Sequence, residues 1–276
     1  MGYSVCGEGT ELDVGRCKDG TMLGAIAGDV IGSVHEGAGT KTKDFPLFVQ
    51  GSTFTDDTVL TLAVADCLLD RQDYVDVFHE YFHAYPLAGY GVSFIQWART
   101  RQREPYNSWG NGSAMRVSPV AYAFGSLEEV LQEAKRCAEV THNHPEGIRG
   151  AQATATAVFL ARTGNSKEQI RETIRQMFGY RLEERLDELR PRYGFDVSCQ
   201  GSVPQSIIAF LDSTSFEDAV RNAVSLGGDA DTMACIAGGI AEAYYGSIPP
   251  EIETRVLSVL DGHLREVLRR FQKSYR

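Results

Sequence analysis

Apolar residues recur along this chain at helical spacing, in blocks separated by short polar stretches. Met22 to Val34 and Thr232 to Tyr245 are apolar and rich in Gly and Ala, which permits close approach of neighbouring helices. Further helices are predicted over Val59 to Leu69, Tyr74 to Ala84, Phe94 to Arg101 and Leu127 to Val140. Others are expected over Gly147 to Ala161, Lys167 to Met177 and Phe216 to Leu226, with one last helix from Ile252 to Phe271. Ser126 followed by Glu129 reads as a capping box. The charge run Arg181 to Arg192 reads as a solvated helical face. Period-2 strands, repeats and a Pro/Ser-rich linker are all missing from the pattern. The expectation is one all-α domain over residues 21–276, after a polar lead (1–20) expected to be poorly ordered.

Composition narrows the partners. The chain has 276 residues and a formal charge of −10, an unlikely match for sequence-independent nucleic-acid binding. No apolar run reaches the roughly 18 residues of a membrane span, and the N-terminus lacks a signal-peptide layout. The six cysteines form no C-x-x-C pair and read as reduced thiols of a cytoplasmic protein.

The candidate chemistry lies in two acidic helix starts far apart in the chain. Thr55-Asp56-Asp57-Thr58 precedes one apolar helix, and Gly227-Gly228-Asp229-Ala230-Asp231-Thr232 precedes another. Asp and Thr are preferred N-caps. One cap needs one such residue, however, and each start has more oxygen than capping uses. Clustered carboxylates repel one another unless a cation intervenes. Hard oxygen donors suit Mg²⁺, Mn²⁺ or Ca²⁺ rather than zinc. The two starts would hold two such ions if they meet in space.

Other positions are less distinctive. Gly24, Gly28 and Gly32 read as a packing face, and Asp29 as a buried carboxylate bridging to a neighbouring helix, with a ligand role the alternative. Glu36 follows in a loop from which it can reach a site. Trp109-Gly110-Asn111-Gly112-Ser113-Ala114-Met115-Arg116 is a glycine-rich helix entry whose free N–H groups would suit phosphate, without the Lys of a P-loop. His142 and His144 suggest polar lining or capping rather than a nuclease or zinc site.

Taken together, GAIAGDVIGSVHE (24–36), FTDDTVLTLA (54–63), WGNGSAMRVSPVA (109–121), THNHPEGIRGAQATA (141–155), SVPQSIIAFL (202–211) and LGGDADTMACIAGGIAEAYYG (226–246) resemble ADP-ribosylglycohydrolases in content and order. The resemblance spans about residues 22 to 249. It implies a compact orthogonal helical bundle with a cleft holding two Mg²⁺ ions, with Mn²⁺ an alternative. By matching position, Thr55, Asp56, Asp57, Asp229, Asp231 and Thr232 would be metal ligands. Glu36, Asp56, Asp57 and Asp231 would be the catalytic carboxylates, with the choice of general base open. Trp109, Gly110, Asn111, Gly112, Ser113, Met115 and His142 would cradle ADP-ribose, with Trp109 placed to stack on adenine. The implied activity is hydrolysis of the glycosidic bond joining ADP-ribose to a protein side chain, a nucleobase or a small molecule. A Mg²⁺-dependent phosphohydrolase and a non-catalytic ADP-ribose-binding relative are the alternatives. Acceptor contacts are expected on the loops between residues 85 and 110.

Overall fold

Caps set where most helices begin. Thr55, Asp73, Ser126, Ser166, Ser198, Ser215 and Asp261 each accept a backbone N–H of the turn they start. Ser126–Glu129 forms the full reciprocal box, as its spacing predicts. The computed structural model describes residues 22–275, and helices are the regular structure among them. The lead over 1–20, with Cys6 and Cys17, lies outside the described residues.

In chain order the helices are α1 (Leu23–Gly32), α2 (Asp56–Asp70), α3 (Tyr74–Ala84), α4 (Val92–Arg99) and α5 (Gly112–Met115). Next come α6 (Val120–Ala123), α7 (Leu127–Glu139), α8 (Pro145–Arg162), α9 (Lys167–Phe178) and α10 (Leu186–Leu189). The last are α11 (Cys199–Leu211), α12 (Phe216–Val224), α13 (Ala230–Tyr245), α14 (Pro250–Val259) and α15 (Gly262–Ser274). They pack around a single apolar core, and α1 is buried along its whole length at the centre.

α1 and α13 pack antiparallel along the glycine face. A Cβ on Gly24 would stand 2.5 Å from the backbone oxygen of Gly238. On Gly28 it would stand 2.0 Å from that of Ala234, and on Gly32 2.5 Å from that of Ala230. Only a residue without a side chain fits at such contacts. At the far end of the pair the Glu242 carboxylate accepts the Gly24 N–H at 2.6 Å, satisfying one of the first-turn donors of α1. The near end is the one that matters for chemistry, because there the start of α13 lies against the last turn of α1.

Three expectations need correcting. The closing segment is two helices rather than one. Leu260 is extended, and Asp261 caps a new start by accepting the Leu264 N–H at 2.9 Å. The run Arg181 to Arg192 has only the short α10 as helix. Its leucines, Leu182, Leu186 and Leu189, are buried, so apolar anchoring rather than charge pairing sets its path. Helix α11 has no counterpart in the expected list because Pro204 lies inside it and masks the periodicity.

Gly28→Val is expected to lower stability by about 3 kcal/mol through overpacking, read as a fall in the urea midpoint. Gly262→Ala, at a helix start with open space around it, should leave the midpoint unchanged.

Candidate active site

The two acidic helix starts meet at one end of the α1–α13 pair. Thr232 Oγ1, in the first turn of α13, donates to Asp57 Oδ2 in the first turn of α2 at 3.2 Å, across 175 residues of chain. Asp29 of α1 joins α2 to the same place. Its Oδ1 accepts the Thr55 hydroxyl at 2.7 Å, and its Oδ2 accepts the N–H groups of Thr55 and Thr58 at 2.9 and 3.1 Å. The Thr58 hydroxyl donates to Oδ2 as well. The expected bridging carboxylate is therefore present.

Capping accounts for little of the remaining oxygen. Thr55 is the N-cap of α2 and accepts the Asp57 N–H at 3.3 Å. Asp229 stands at the N-cap of α13 without making a side-chain cap bond there. Its Oδ2 instead accepts from the Asn111 amide at 2.8 Å, which ties the glycine-rich loop to the acidic centre.

Carboxylate oxygens of Asp29, Asp57 and Asp231 lie within 4.8 Å of one another, as do those of Glu36, Asp229 and Asp231. Asp231 belongs to both groups. Asp57 Oδ1 is buried without a hydrogen-bond partner among the described residues. Burial, then the charge of Asp231, raises Asp29 to about 7 against the pull of the Thr55 and Thr58 hydrogen bonds. Burial, then Asp229, raises Asp231 to about 8. Burial and neighbouring carboxylates push Asp56 and Asp57 well above the usual range, and the same causes raise Glu36. Crowded hard oxygen donors, one of them unpartnered, fit a divalent cation, whose charge would offset this repulsion.

A cavity of about 360 Å³ opens beside the cluster. Glu36, Thr55, Asp56, Asp57, Asp229, Asp231 and Thr232 line one wall. Gly110, Asn111, Gly112, Met115 and His142 line it too, and Asn111 reaches the acidic wall through Asp229. Ser113 does not reach the cavity; it is buried, and its hydroxyl donates to the Gly147 carbonyl at 2.7 Å. Trp109 is 53% exposed and lies outside the lining, edge-on to His144 at 5.7 Å. His144 caps α8 by accepting the Glu146 N–H.

Several lining residues carried no distinct motif. Gly89, Gly91, Val92, Ser93, Phe94, Tyr106 and Ser108 come from the stretch expected to meet the acceptor. The usable signal there was Gly89-Tyr90-Gly91 ahead of α4, whose N-cap Gly91 has no side chain to cover the first N–H groups. Arg116 and Val197 also line the cavity and were not singled out.

A body helical over its described residues, with a carboxylate centre fit for a cation opening onto a cavity, belongs to the class of metal-dependent enzymes. The sequence profile of ADP-ribosylglycohydrolases matches residues 19–275. The chain belongs to the ADP-ribosylglycohydrolase family, enzymes that cleave ADP-ribose from acceptors. It is 28% identical to ADP-ribosylhydrolase ARH3 of Bos taurus, covering 87% of both chains. It is 30% identical to ARH3 of Danio rerio over 83% of each. Against ADP-ribosylarginine hydrolase Tri1 of Pseudomonas putida it is 26% identical, over 87% of this chain and 74% of that one. A solved structure described as an ADP-ribosylglycohydrolase-related protein complex superposes with a TM-score of 0.67 at 25% identity, covering 94% of this chain and 98% of that one. No helix among the described residues is long and apolar enough to cross a membrane.

In the metal-free protein the folded state keeps protons on Asp29 and Asp231 up to about 7 and about 8, whereas unfolded carboxylates release them near pH ~4. Stability is thus full at acidic pH and falls as pH rises through that window. With chelator present, the melting temperature is expected to drop between about pH 5 and about pH 8. Added Mg²⁺ should raise it more at the higher pH.

Proposed function

We propose that this enzyme releases ADP-ribose from a modified protein side chain in the cytoplasm, with Mg²⁺ held in the carboxylate centre. The observation that carries the reading is the meeting of two acidic helix starts at a cavity that the Gly110–Gly112 loop also lines. Thr55, Asp56, Asp57, Asp229, Asp231 and Thr232 would hold the metal, and Asp29 would fix Thr55 in place. A divalent cation held by these residues would supply positive charge beside the ribose hydroxyls.

The rest follows from the chain's own groups. The backbone around Gly110 to Gly112 and the uncovered start of α4 present N–H groups for the diphosphate. Trp109, exposed beside the cavity, can lie against the adenine. The distal ribose then faces the acidic wall. Glu36 is the exposed member of that wall, on the loop after α1, and is less constrained than the buried aspartates. It would take a proton from the water whose oxygen bonds to the anomeric carbon, and would pass that proton to the acceptor, which leaves with the electrons of the broken glycosidic bond.

Two exposed apolar side chains, Val92 (83% exposed) and Val197 (52%), line the cavity, and Leu87 and Phe195, exposed too, lie a few residues from them in the chain. Such side chains suit a polypeptide acceptor. The name of the Tri1 relative specifies an arginine linkage, so that linkage heads the panel to be tested. The buried free thiols Cys67, Cys137, Cys199 and Cys235 support a reducing compartment. The domain is taken to begin at about residue 21, near the start of the family match.

A release assay with ADP-ribosylated arginine peptides, serine peptides and oligonucleotides tests the reading. Mg²⁺-dependent appearance of free ADP-ribose from a peptide supports it; appearance of AMP from the diphosphate overturns it. Asp56→Ala with Asp231→Ala should abolish Mg²⁺ binding and turnover while the helical circular dichroism is retained. Glu36→Gln should lower kcat about 100-fold while free ADP-ribose still binds.

A further inference from the structure

Beneath the cavity, a buried cation is linked by one hydroxyl to the histidine of the cavity wall. Arg116 has no solvent exposure and lies over the Phe78 ring at 4.5 Å. Its Nη2 donates to the Cys137 carbonyl at 2.9 Å and to Thr141 Oγ1 at 2.8 Å. Thr141 Oγ1 in turn lies 2.7 Å from Nδ1 of His142. On the other edge of the ring, Nε2 lies beside the cavity-lining loop, 3.2 Å from where a Cβ on Gly112 would stand.

The proton positions along this chain are constrained. A guanidinium only donates, so Thr141 Oγ1 must accept from Arg116. With Arg116 donating to Oγ1, the hydroxyl's own proton has His142 Nδ1, at 2.7 Å, as its acceptor. The reverse arrangement would point a ring N–H toward a buried cation and leave a lone pair facing a cavity walled by carboxylates. Burial, then Arg116, holds His142 well below its ordinary range, so the ring carries one proton only.

We propose that Arg116 and Thr141 are positioning residues that hold His142 as the Nε2–H tautomer, making it a neutral donor to an oxygen of ADP-ribose. This rests on the ADP-ribose reading of the cavity given above. Arg116, fully buried at the edge of the lining, and Thr141, outside it, act through the ring.

The test has two arms. In ligand-free protein labelled with ¹⁵N-histidine, the His142 ring, assigned by its loss in His142→Gln, should show a protonated Nε2 and a bare Nδ1. A protonated Nδ1 overturns the proposal. In the second arm, Thr141→Val should weaken binding of free ADP-ribose about tenfold, while Thr141→Ser, which keeps the hydroxyl, should bind as the wild type does. Equal affinity for Val and wild type overturns it too. Because Val removes an acceptor from Arg116 and so threatens folding, the wild-type spectrum and the Ser variant decide the matter without it. Wild-type protein that shows the Nε2–H ring yet binds no ADP-ribose would overturn the proposed function and uphold the tautomer.

Discussion

The site exists because α1 touches two helices at once. Its glycine face lets the backbone of α13 come into direct contact, and Asp29, on the same short helix, gathers the start of α2 through Thr55 and Thr58. Neither contact alone would build the centre. With α13 held but α2 free, Asp231 and Asp229 would face water as an ordinary acidic helix start. With both held, Thr232 and Asp57 come within hydrogen-bond distance, and four aspartates and Glu36 share a small space.

That crowding is unfavourable in itself. Burying several carboxylates close together raises the pKa of each and opposes folding at neutral pH. The apolar contacts of α1, α13 and the surrounding helices supply the stability that holds the arrangement in place. Strain of this kind is where a sequence departs from what folding alone would favour, and it marks the position of the chemistry.

Much of this was legible in the residues. Small-residue spacing in α1 and α13, the capping box of α7 and the doubled acids at residues 56–57 and 229–231 each have a local meaning that survives in the fold. What could not be read was long-range. Ser113 sits in a motif that suggests ligand contact, yet its hydroxyl turns to the Gly147 carbonyl, a partner no local pattern identifies. Arg116 resembles any other charge in the sequence until the fold encloses it beside Phe78 and Thr141. The break at Leu260 was hidden because the apolar spacing continues through it, and only the Asp261 cap reveals two helices.

The interlocked backbones of α1 and α13 also limit how the enzyme adapts to what it binds. Sliding one helix along the other by even a fraction of a turn would drive Cα hydrogens into carbonyl oxygens, so the acidic floor behaves as an anvil. Accommodation of differently shaped acceptors must then come from the connecting segments at 33–55, 85–91 and 190–198, which carry Glu36 and the exposed Leu87, Phe195 and Val197. Evolution can therefore retool what is cleaved by editing those segments while the bond-breaking floor stays untouched.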